Sequence, residues 1–257
     1  MAELHPTAIV DAGAELGENV TISPFAIIDG DVIIGDNTWI GPQVKVASGT
    51  RIGKNCQIHQ GAVLGGTPQD FKFEFEETIL KIGNHTIIRE YCTLSRGTQD
   101  HWRTEVGSHC FLMAYVHVAH DCILGDHLIL ANAVNMAGHV QIHDYAGVGG
   151  LVPIHQFVRV GRHAFIGGGC RVPKDVPPYI LAAGEPPRFA GINIVGLNRH
   201  GFGKEAKARL RKAYRILYRS NLNFSQAVTR IKEEFALEDE IKDVVDFVET
   251  SERGIVK

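Results

Sequence analysis

The chain has 257 residues, of which 44% are hydrophobic, and a formal net charge of −3 at pH 7. This length suits one large domain or two smaller ones, and the near-balanced charge argues against a nucleic-acid partner. The N-terminal residues lack the basic and apolar regions of a signal peptide, and no uncharged apolar run approaches ~18 residues. We therefore expect a cytoplasmic protein with no transmembrane segment.

Aliphatic residues recur at every sixth position in the first two thirds of the chain. The series runs unbroken from Leu4 to Leu64, returns at Ile82, and continues from Val106 to Val172. An α-helix repeats every 3.6 residues and an alternating strand every 2, so a period of six indicates neither.

A second column of small or β-branched residues lies four positions after the first and contains all five cysteines. Buried structural thiols are therefore a better interpretation of these cysteines than catalytic thiols. Glycine often follows the aliphatic position, and we attribute these glycines to tight corners of the chain.

This period resembles the hexapeptide repeat of left-handed parallel β-helix proteins. In that family each six residues form a short strand and a corner, three such units form a triangular coil of 18 residues, and coils stack at ~4.8 Å. The resemblance implies a mainly β fold, a left-handed parallel β-helix, followed by a small α-helical C-terminal domain.

Two polar segments, 65–78 and 95–105, interrupt the period. Loops of a solenoid often carry its binding residues, although purely decorative loops are the alternative. Prolines between residues 173 and 187 then mark an irregular exit, after which the pattern becomes helical. We predict a β-helix over residues 1–185 with these two loops, and an exit segment with a helical domain over 186–257. Counting residues does not fix the edge from which each loop leaves.

Several polar residues converge if positions 18 apart stack in successive coils. Gly138 then lies above His120 and Gln156 above Gly138, while Asn135 lies above His117. The strip predicted on one face of the prism comprises His117, His120, Gly138, His139, His155 and Gln156. A chance surface cluster is the alternative. The remaining histidines show no such convergence and are interpreted as surface residues: His5, His59, His85, His101, His109, His127, His143 and His163.

Two chemistries suit such a strip, an open metal site and a neutral imidazole that acts as a general base. Asp121 directly follows His120 and can orient its ring, and the backbone N–H of Gly138 can serve an oxyanion. This combination favours acyl transfer, with no metal and no other cofactor.

Longer stretches resemble one family in particular, the UDP-N-acetylglucosamine acyltransferases of lipid A synthesis. The similar stretches are YVHVAHDCILGDHLILANAVNMAGHV (115–140), PIHQF (153–157), KDVPPYILAAGEP (174–186) and GINIVGLNRHGF (191–202). The resemblance covers nearly the whole chain. It implies transfer of an (R)-3-hydroxyacyl chain from acyl carrier protein to the 3-hydroxyl of UDP-N-acetylglucosamine, by a homotrimer with active sites between subunits.

The same resemblance implies roles for individual residues. His120 is expected to be the general base, Asp121 its partner, and Gly138 the oxyanion donor. The substrate-binding residues it implies are Gln69, Asp70, Lys72, His117, His139, His155, Gln156, Asn193 and Arg199. His200 stands where the family often has a second arginine.

Gly168 matches a position that limits acyl-chain length in this family, and a glycine there is expected to admit a long chain. It lies in a run of three glycines after Ile166, which we expect near the top of the histidine strip. A purely structural corner glycine is the alternative.

Between Arg199 and Arg219 the chain has eight basic residues and one acidic residue. A solvated helix face would explain this, and so would a docking surface for an acidic carrier protein. We expect docking through Lys204, Lys207, Arg211 and Arg215.

Three other functions remain open on the sequence alone: the later N-acyltransferase of the same pathway, a γ-class carbonic anhydrase, and a scaffold prism without catalysis. The carbonic anhydrase binds zinc through three histidines at a different spacing, so a metal assay would separate it. Binding of acyl carrier protein would separate the scaffold. Acyl-chain length, and the choice between a 3-hydroxy and a 3-amino sugar, are not fixed by the sequence.

Overall fold

The structure is a computed structural model that describes all 257 residues. Short strands recur throughout the first 192 residues. The strands of the first half are β1 (Glu3–Leu4), β2 (Ile9–Val10), β3 (Glu15–Leu16), β4 (Thr21–Ile22), β5 (Ile27–Ile28), β6 (Val32–Ile34), β7 (Trp39–Ile40), β8 (Lys45–Val46), β9 (Thr50–Ile52), β10 (Gln57–Ile58), β11 (Val63–Gly66), β12 (Ile79–Ile82), β13 (Ile87–Ile88) and β14 (Thr93–Ser95). Those of the second half are β15 (Arg103–Val106), β16 (Phe111–Leu112), β17 (His117–Val118), β18 (Ile123–Leu124), β19 (Ile129–Leu130), β20 (Asn135–Met136), β21 (Gln141–Ile142), β22 (Gly147–Val148), β23 (Pro153–Ile154), β24 (Arg159–Val160), β25 (Phe165–Ile166), β26 (Ile180–Ala183) and β27 (Arg188–Ile192).

These strands build a prism with three faces. Every third strand joins the same sheet, so face A begins with β1 and β4, face B with β2 and β5, and face C with β3 and β6. Strands within a face are parallel, except that β26 and β27 pair antiparallel at the end of face A. Ile123 pairs with Gln141, which pairs with Arg159. This spacing of 18 residues between paired positions confirms the predicted coil. We call the three edges AB, BC and CA after the faces that meet there.

Both predicted columns fill the interior of the prism. Ile58, Leu94 and Met136 of the aliphatic column are fully buried, as are Thr38 and Cys56 of the small column. Full burial of one aliphatic side chain contributes ~1.5–3 kcal/mol, so the repeated column is the main source of stability. All five cysteines are free and buried, and burial raises the pKa of Cys122 to about 12.

The predicted role of the glycines is wrong for those that follow the strands of face C. Gly35 and Gly107 do not have positive φ; instead, a Cβ on Gly107 would lie 2.4 Å from the carbonyl oxygen of Gly125 in the next coil. Close stacking of successive backbones therefore excludes a side chain there. The left-handed corner conformation belongs to residues that carry side chains, such as His109 at φ 57°.

A ladder of stacked rings runs along the CA edge. Its members are His85, His109, His127, Tyr145, His163 and Tyr179, with neighbouring ring centroids 4.7 to 5.6 Å apart. The interpretation of His85, His109, His127 and His163 as histidines without convergence is therefore wrong. They occupy the same corner position in successive coils, so their flat rings lie one above another.

Both loops leave the BC edge. The first connects β11 of face B to β12 of face C, and the second connects β14 to β15 in the same way. Ile52 pairs with Ile82 and Ile82 with Val106, at separations of 30 and 24 residues instead of 18. The loops thus lengthen two coils while the stack continues on either side.

The C-terminal part contains α1 (Ile194–Arg199), α2 (Lys204–Arg219), α3 (Phe224–Glu234) and α4 (Asp239–Glu249). Helix α2 buries Leu210 and Tyr214, and the Tyr214 hydroxyl donates to the carbonyl of Pro178 in the prism. Strand β27 pairs with β26, so face A extends past residue 185, and the division at that residue stays a prediction. No helix has the length and apolar character needed to cross a membrane.

Candidate active site

His120 and Asp121 lie at the BC edge, directly after β17 of face B. Asp121 adopts the left-handed corner conformation with φ 60°, which turns its side chain back toward the preceding residue. The Nδ1 atom of His120 lies 2.8 Å from Oδ2 of Asp121, and both side chains are buried. The neighbouring residues therefore form a hydrogen-bonded dyad.

The carboxylate of Asp121 has further donors from the second loop. The backbone N–H of Thr98 donates to Oδ1 at 2.9 Å, and its hydroxyl donates to Oδ2 at 2.7 Å. Burial by itself raises the pKa of Asp121, but the hydrogen bonds from His120 and Thr98 outweigh burial and lower the pKa to about 2. An ionised carboxylate only accepts hydrogen bonds, so in the neutral ring Nδ1 of His120 carries the proton and Nε2 keeps a free lone pair.

The free Nε2 of His120 faces the first loop, where Oδ2 of Asp70 lies 4.0 Å away. Gly138 lies above the ring, and a Cβ on this glycine would come within 2.6 Å of Cε1 of His120. Gly138 thus makes room for the imidazole. Its backbone N–H makes no hydrogen bond within the chain and remains available as a donor.

Three further histidines border the dyad. His101 was expected to lie apart from the histidine strip, and this is wrong, because its Nδ1 lies 3.3 Å from the carbonyl oxygen of Asp121 and its ring 5.4 Å from that of His139. The ring of His139 stacks on Phe157 at 4.6 Å and stands perpendicular to the ring of His120 at 5.2 Å. His117 shares a hydrogen bond of 2.7 Å with the hydroxyl of Thr93. Burial lowers the pKa of both His117 and His139, so both rings favour the neutral form near pH 7.

The potential metal ligands in this cluster are His120, Asp121 and His139, whose ligand atoms lie within 4.8 Å of one another. However, both oxygens of Asp121 already accept protein hydrogen bonds, and the proton on Nδ1 of His120 points at this carboxylate. With the carboxylate engaged in this way, the cluster offers a metal only two imidazoles, whereas catalytic zinc sites use three protein ligands, so this donor set fits a proton-transfer dyad better than a metal centre.

The BC edge brings together most of the residues predicted from the histidine strip and the first loop. Gln69, Asp70 and Lys72 lie in the first loop, where the Asp70 carboxylate accepts the backbone N–H of Lys72 at 3.0 Å. His155 and Gln156 follow β23 at the same edge, two coils above His120.

The other predicted site residues lie on different edges. Gly168 follows β25 of face A and therefore lies at the AB edge. The expectation that it lies near the top of the histidine strip is wrong within one chain, because the twelve residues from Ile154 to Ile166 make two thirds of a coil and lead to another face.

Asn193 lies at the CA edge, where its side chain donates to the carbonyl of His163 and caps α1 by accepting the N–H of Gly196. Arg199 ends that helix and is exposed. His200 packs edge-on against the stacked rings, 4.8 Å from Tyr145 and 5.1 Å from His163. The residue that replaces the second arginine is therefore in contact with the aromatic ladder.

The predicted docking residues share the exposed side of α2. Arg211 and Arg215 line a groove of about 250 Å³ beside β27, together with Gly191, Ile194 and Arg219. Arg219, the last of the eight basic residues, lies four residues after Arg215 and continues this row on the helix. Lys207 hydrogen-bonds to the side chain of Asn198, and Lys204 begins the helix.

The prism, the histidine–aspartate dyad at its edge and the appended helices define an acyltransferase of the hexapeptide-repeat class. Residues 31–66 match the family model described as bacterial transferase hexapeptide (six repeats), and residues 175–256 match that of Udp N-acetylglucosamine O-acyltransferase, Domain 2.

Full-length relatives narrow the assignment. The acyl-[acyl-carrier-protein]–UDP-N-acetylglucosamine O-acyltransferases of Halorhodospira halophila and Burkholderia lata are 45% and 44% identical, each over 100% of both chains. The solved UDP-N-acetylglucosamine acyltransferase of Bacteroides fragilis has a TM-score of 0.97 and 46% identity, over 98% of this chain and 99% of that chain. The solved UDP-N-acetylglucosamine acyltransferase of Campylobacter jejuni has a TM-score of 0.94 and 35% identity, over 99% of this chain and 100% of that chain.

The chain belongs to the acyl-[acyl-carrier-protein]–UDP-N-acetylglucosamine O-acyltransferase family. It is an O-acyltransferase, and its fold is the left-handed parallel β-helix that the resemblance to hexapeptide-repeat proteins implied. Membership in this family excludes the three other functions that the sequence alone left open for this chain, namely a scaffold prism, a γ-class carbonic anhydrase and the later N-acyltransferase.

Proposed function

We propose that the protein transfers an (R)-3-hydroxyacyl chain from acyl carrier protein to the 3-hydroxyl of UDP-N-acetylglucosamine, the first step of lipid A synthesis. The observation that carries this proposal is the dyad, which leaves Nε2 of His120 unprotonated and facing the first loop. The full-length relatives are named for the same two substrates.

In the proposed mechanism, Nε2 of His120 takes the proton from the sugar 3-hydroxyl while the oxygen of that hydroxyl attacks the thioester carbonyl. Asp121 stabilises the imidazolium that forms, and the N–H of Gly138 stabilises the tetrahedral oxyanion. Collapse of the intermediate breaks the carbon–sulfur bond, and the carrier thiolate takes the proton back from His120. His117 and His139, held neutral by burial, bind substrate without competing for this proton.

We propose a homotrimer with active sites between subunits, located in the cytoplasm. Large apolar side chains are exposed along the AB edge, including Tyr115 at 61% and Leu151 at 71% exposure, and Tyr91 stacks on Tyr115. A continuous apolar edge supports burial against another copy of the chain. The distribution of the candidate residues over three edges also supports sites that combine edges of different subunits.

Three further roles complete the proposal. Gly168 is exposed at the AB edge and presents no side chain there, which supports room for a long acyl chain. Lys204, Lys207, Arg211 and Arg215 provide a basic surface for the acidic carrier protein, with Arg219 extending it. Asn193, Arg199, Gln156 and His155 are proposed to bind the nucleotide and sugar.

The deciding experiment replaces the base. We expect His120→Gln to lower kcat by about 10²- to 10⁴-fold with the fold intact, because proton transfer by a positioned side chain contributes that much. His127→Gln, on the aromatic ladder away from the dyad, is the control and should keep its activity. Turnover of His120→Gln near the wild-type value would refute the role of His120 as general base.

A second assay identifies the acceptor. It compares the 3-hydroxy and the 3-amino sugar nucleotides as substrates of the wild-type enzyme.

A further inference from the structure

The second loop crosses the BC edge directly against the dyad. Thr98 is buried and supplies two of the three hydrogen bonds to the carboxylate of Asp121, at 2.9 Å from its backbone N–H and 2.7 Å from its hydroxyl. The third donor is Nδ1 of His120. Every hydrogen bond to this buried carboxylate is therefore made either by the base or by Thr98, while Nε2 of His139 lies 3.8 Å from Oδ2.

The position of Thr98 is itself fixed by the surrounding chain. The carbonyl of the preceding residue, Gly97, accepts the hydroxyl of Thr78 at 2.6 Å, and the N–H of the following residue, Gln99, donates to Glu76 at 3.1 Å. A Cβ on Gly97 would lie 2.4 Å from the backbone nitrogen of Arg103, so the loop closes tightly on itself. Thr98 is thus held by anchors on both sides.

The backbone of Asp121 is also held in place by a hydrogen bond. Its N–H donates to the hydroxyl of Thr104 at 2.8 Å, which holds the left-handed corner in place. Its carboxylate would still be free to rotate about the Cβ–Cγ bond if His120 were its only partner. Donors from Thr98 to both oxygens remove that freedom and point Oδ2 at Nδ1 of His120.

The hydroxyl of Thr98 has a defined direction as well. Its oxygen accepts the N–H of Asp100 at 3.3 Å, so its hydrogen is available to Oδ2 of Asp121. A chain of hydrogen bonds therefore runs from the N–H of Asp100 through the Thr98 hydroxyl and the Asp121 carboxylate to Nδ1 of His120. Each donor in this chain favours an ionised carboxylate on Asp121 and a proton on Nδ1 of His120.

We propose that Thr98 is a positioning residue for the acyl transfer: it orients Asp121 so that His120 presents an unprotonated Nε2 to the substrate hydroxyl. This inference rests on the proposed role of His120 as the base and assigns part of the second loop to the catalytic machinery. Thr98 itself touches no reacting atom.

The test measures kcat and both KM values for Thr98→Val and Thr98→Ser in the full-length enzyme. Valine keeps the shape and the backbone N–H but loses the hydroxyl, and loss of one hydrogen bond to a buried charge should lower kcat by about 10- to 100-fold. Both KM values should stay within about twofold, and serine should restore most of kcat because it restores the donor.

Thr86→Val is the matched control. Thr86 is also a buried threonine with a hydrogen-bonded hydroxyl, which donates to the carbonyl of Gly107 away from the dyad. Its substitution can lower stability but should leave kcat unchanged. If Thr98→Val is recovered unfolded, Thr98→Ala carries the same expectation, since it also keeps the backbone N–H.

A double-mutant cycle separates positioning from general support of the loop. If Thr98 acts through Asp121, Thr98→Val should cost less than about twofold in an Asp121→Asn background. Equal losses in both backgrounds, or a wild-type kcat for Thr98→Val, would overturn the inference. A wild-type kcat for Thr98→Val together with an inactive His120→Gln would refute only the role of Thr98, whereas an active His120→Gln would refute the proposed base itself.

Discussion

At the residue scale, His163 connects the aromatic ladder to the pH range in which the protein is stable. Its ring lies between Tyr145 and Tyr179, and burial, followed by nearby His200 and Arg162, lowers its pKa to about 4. In the unfolded chain the same group titrates near its ordinary value of 6.5. Between these two values the unfolded state binds a proton that the folded state excludes.

The free energy of unfolding should therefore fall as the pH is lowered from about 6.5 toward 4. His163→Gln removes this group, so its urea midpoint should depend less on pH in that window than the wild-type midpoint does. His5→Gln, at an exposed position, is the control and should follow the wild type. Equal pH dependence in His163→Gln and wild type would assign the acid sensitivity to other groups.

Gly168 offers a test of acyl-chain selection. We expect Gly168→Met to shift selectivity toward short hydroxyacyl donors by roughly 10- to 50-fold, because its side chain occupies the space of about three methylenes at ~0.8 kcal/mol each. The measurement is kcat/KM with acyl carrier proteins that bear hydroxyacyl chains of different lengths. Gly168→Ala should shift the chain-length selectivity less than Gly168→Met does. A uniform loss with all donors would show that the glycine is structural.

His120, Asp121 and Gly138 could be predicted from the sequence because no loop interrupts the chain between them, so an offset of 18 residues fixes their stacking. Thr98 could not be predicted in the same way. It lies inside a loop, where sequence separation no longer sets position, and its contact with Asp121 depends on how that loop closes.

At the element scale, the glycine column after the strands of face C sets the spacing of the coils. Gly107 lies under Gly125, and a Cβ between them would overlap backbone atoms that have no rotamer with which to yield. We expect Gly107→Ala to destabilise the protein by about 1–3 kcal/mol or more, as overpacking does.

The control for this substitution is Gly66→Ala, where a Cβ would meet only Val63 at 3.8 Å. Chemical denaturation of both variants gives the comparison. A stable Gly107→Ala would mean that the coils can separate locally without penalty. The glycines themselves were visible in the sequence, but their role was not, because a period shows which positions recur and not whether a corner or a close contact requires them.

At the scale of the whole molecule, the candidate residues lie on three edges of a single prism. The dyad is at the BC edge, Gly168 at the AB edge, and Asn193 with His200 at the CA edge. The period predicted the coils, the resemblance implied their left-handed winding, and the C-terminal pattern predicted the helices. The separation of the candidate residues was not predicted, because the resemblance implied sites between subunits without telling which copy of the chain supplies each residue.

Subunit complementation tests the shared site. His120→Gln and Arg199→Glu should each be inactive when expressed alone, yet co-expressed chains should regain activity if His120 and Arg199 of one site come from different subunits. Random mixing then restores about one quarter of the sites. Mixed assemblies that stay inactive would place both residues in the same chain.

The position of both loops at the BC edge has a consequence for how such enzymes diversify. Each loop is an insertion between two coils that otherwise keep their register, and lengthening a surface loop costs little, about 0.6 kcal/mol per doubling. Descendants of one ancestral prism can therefore acquire new specificities by gaining or losing loop segments at the BC edge, while the inherited interior stays unchanged. Both loops keep fixed points: Asp70 of the first faces Nε2 of His120, and Thr98 of the second must continue to reach Asp121.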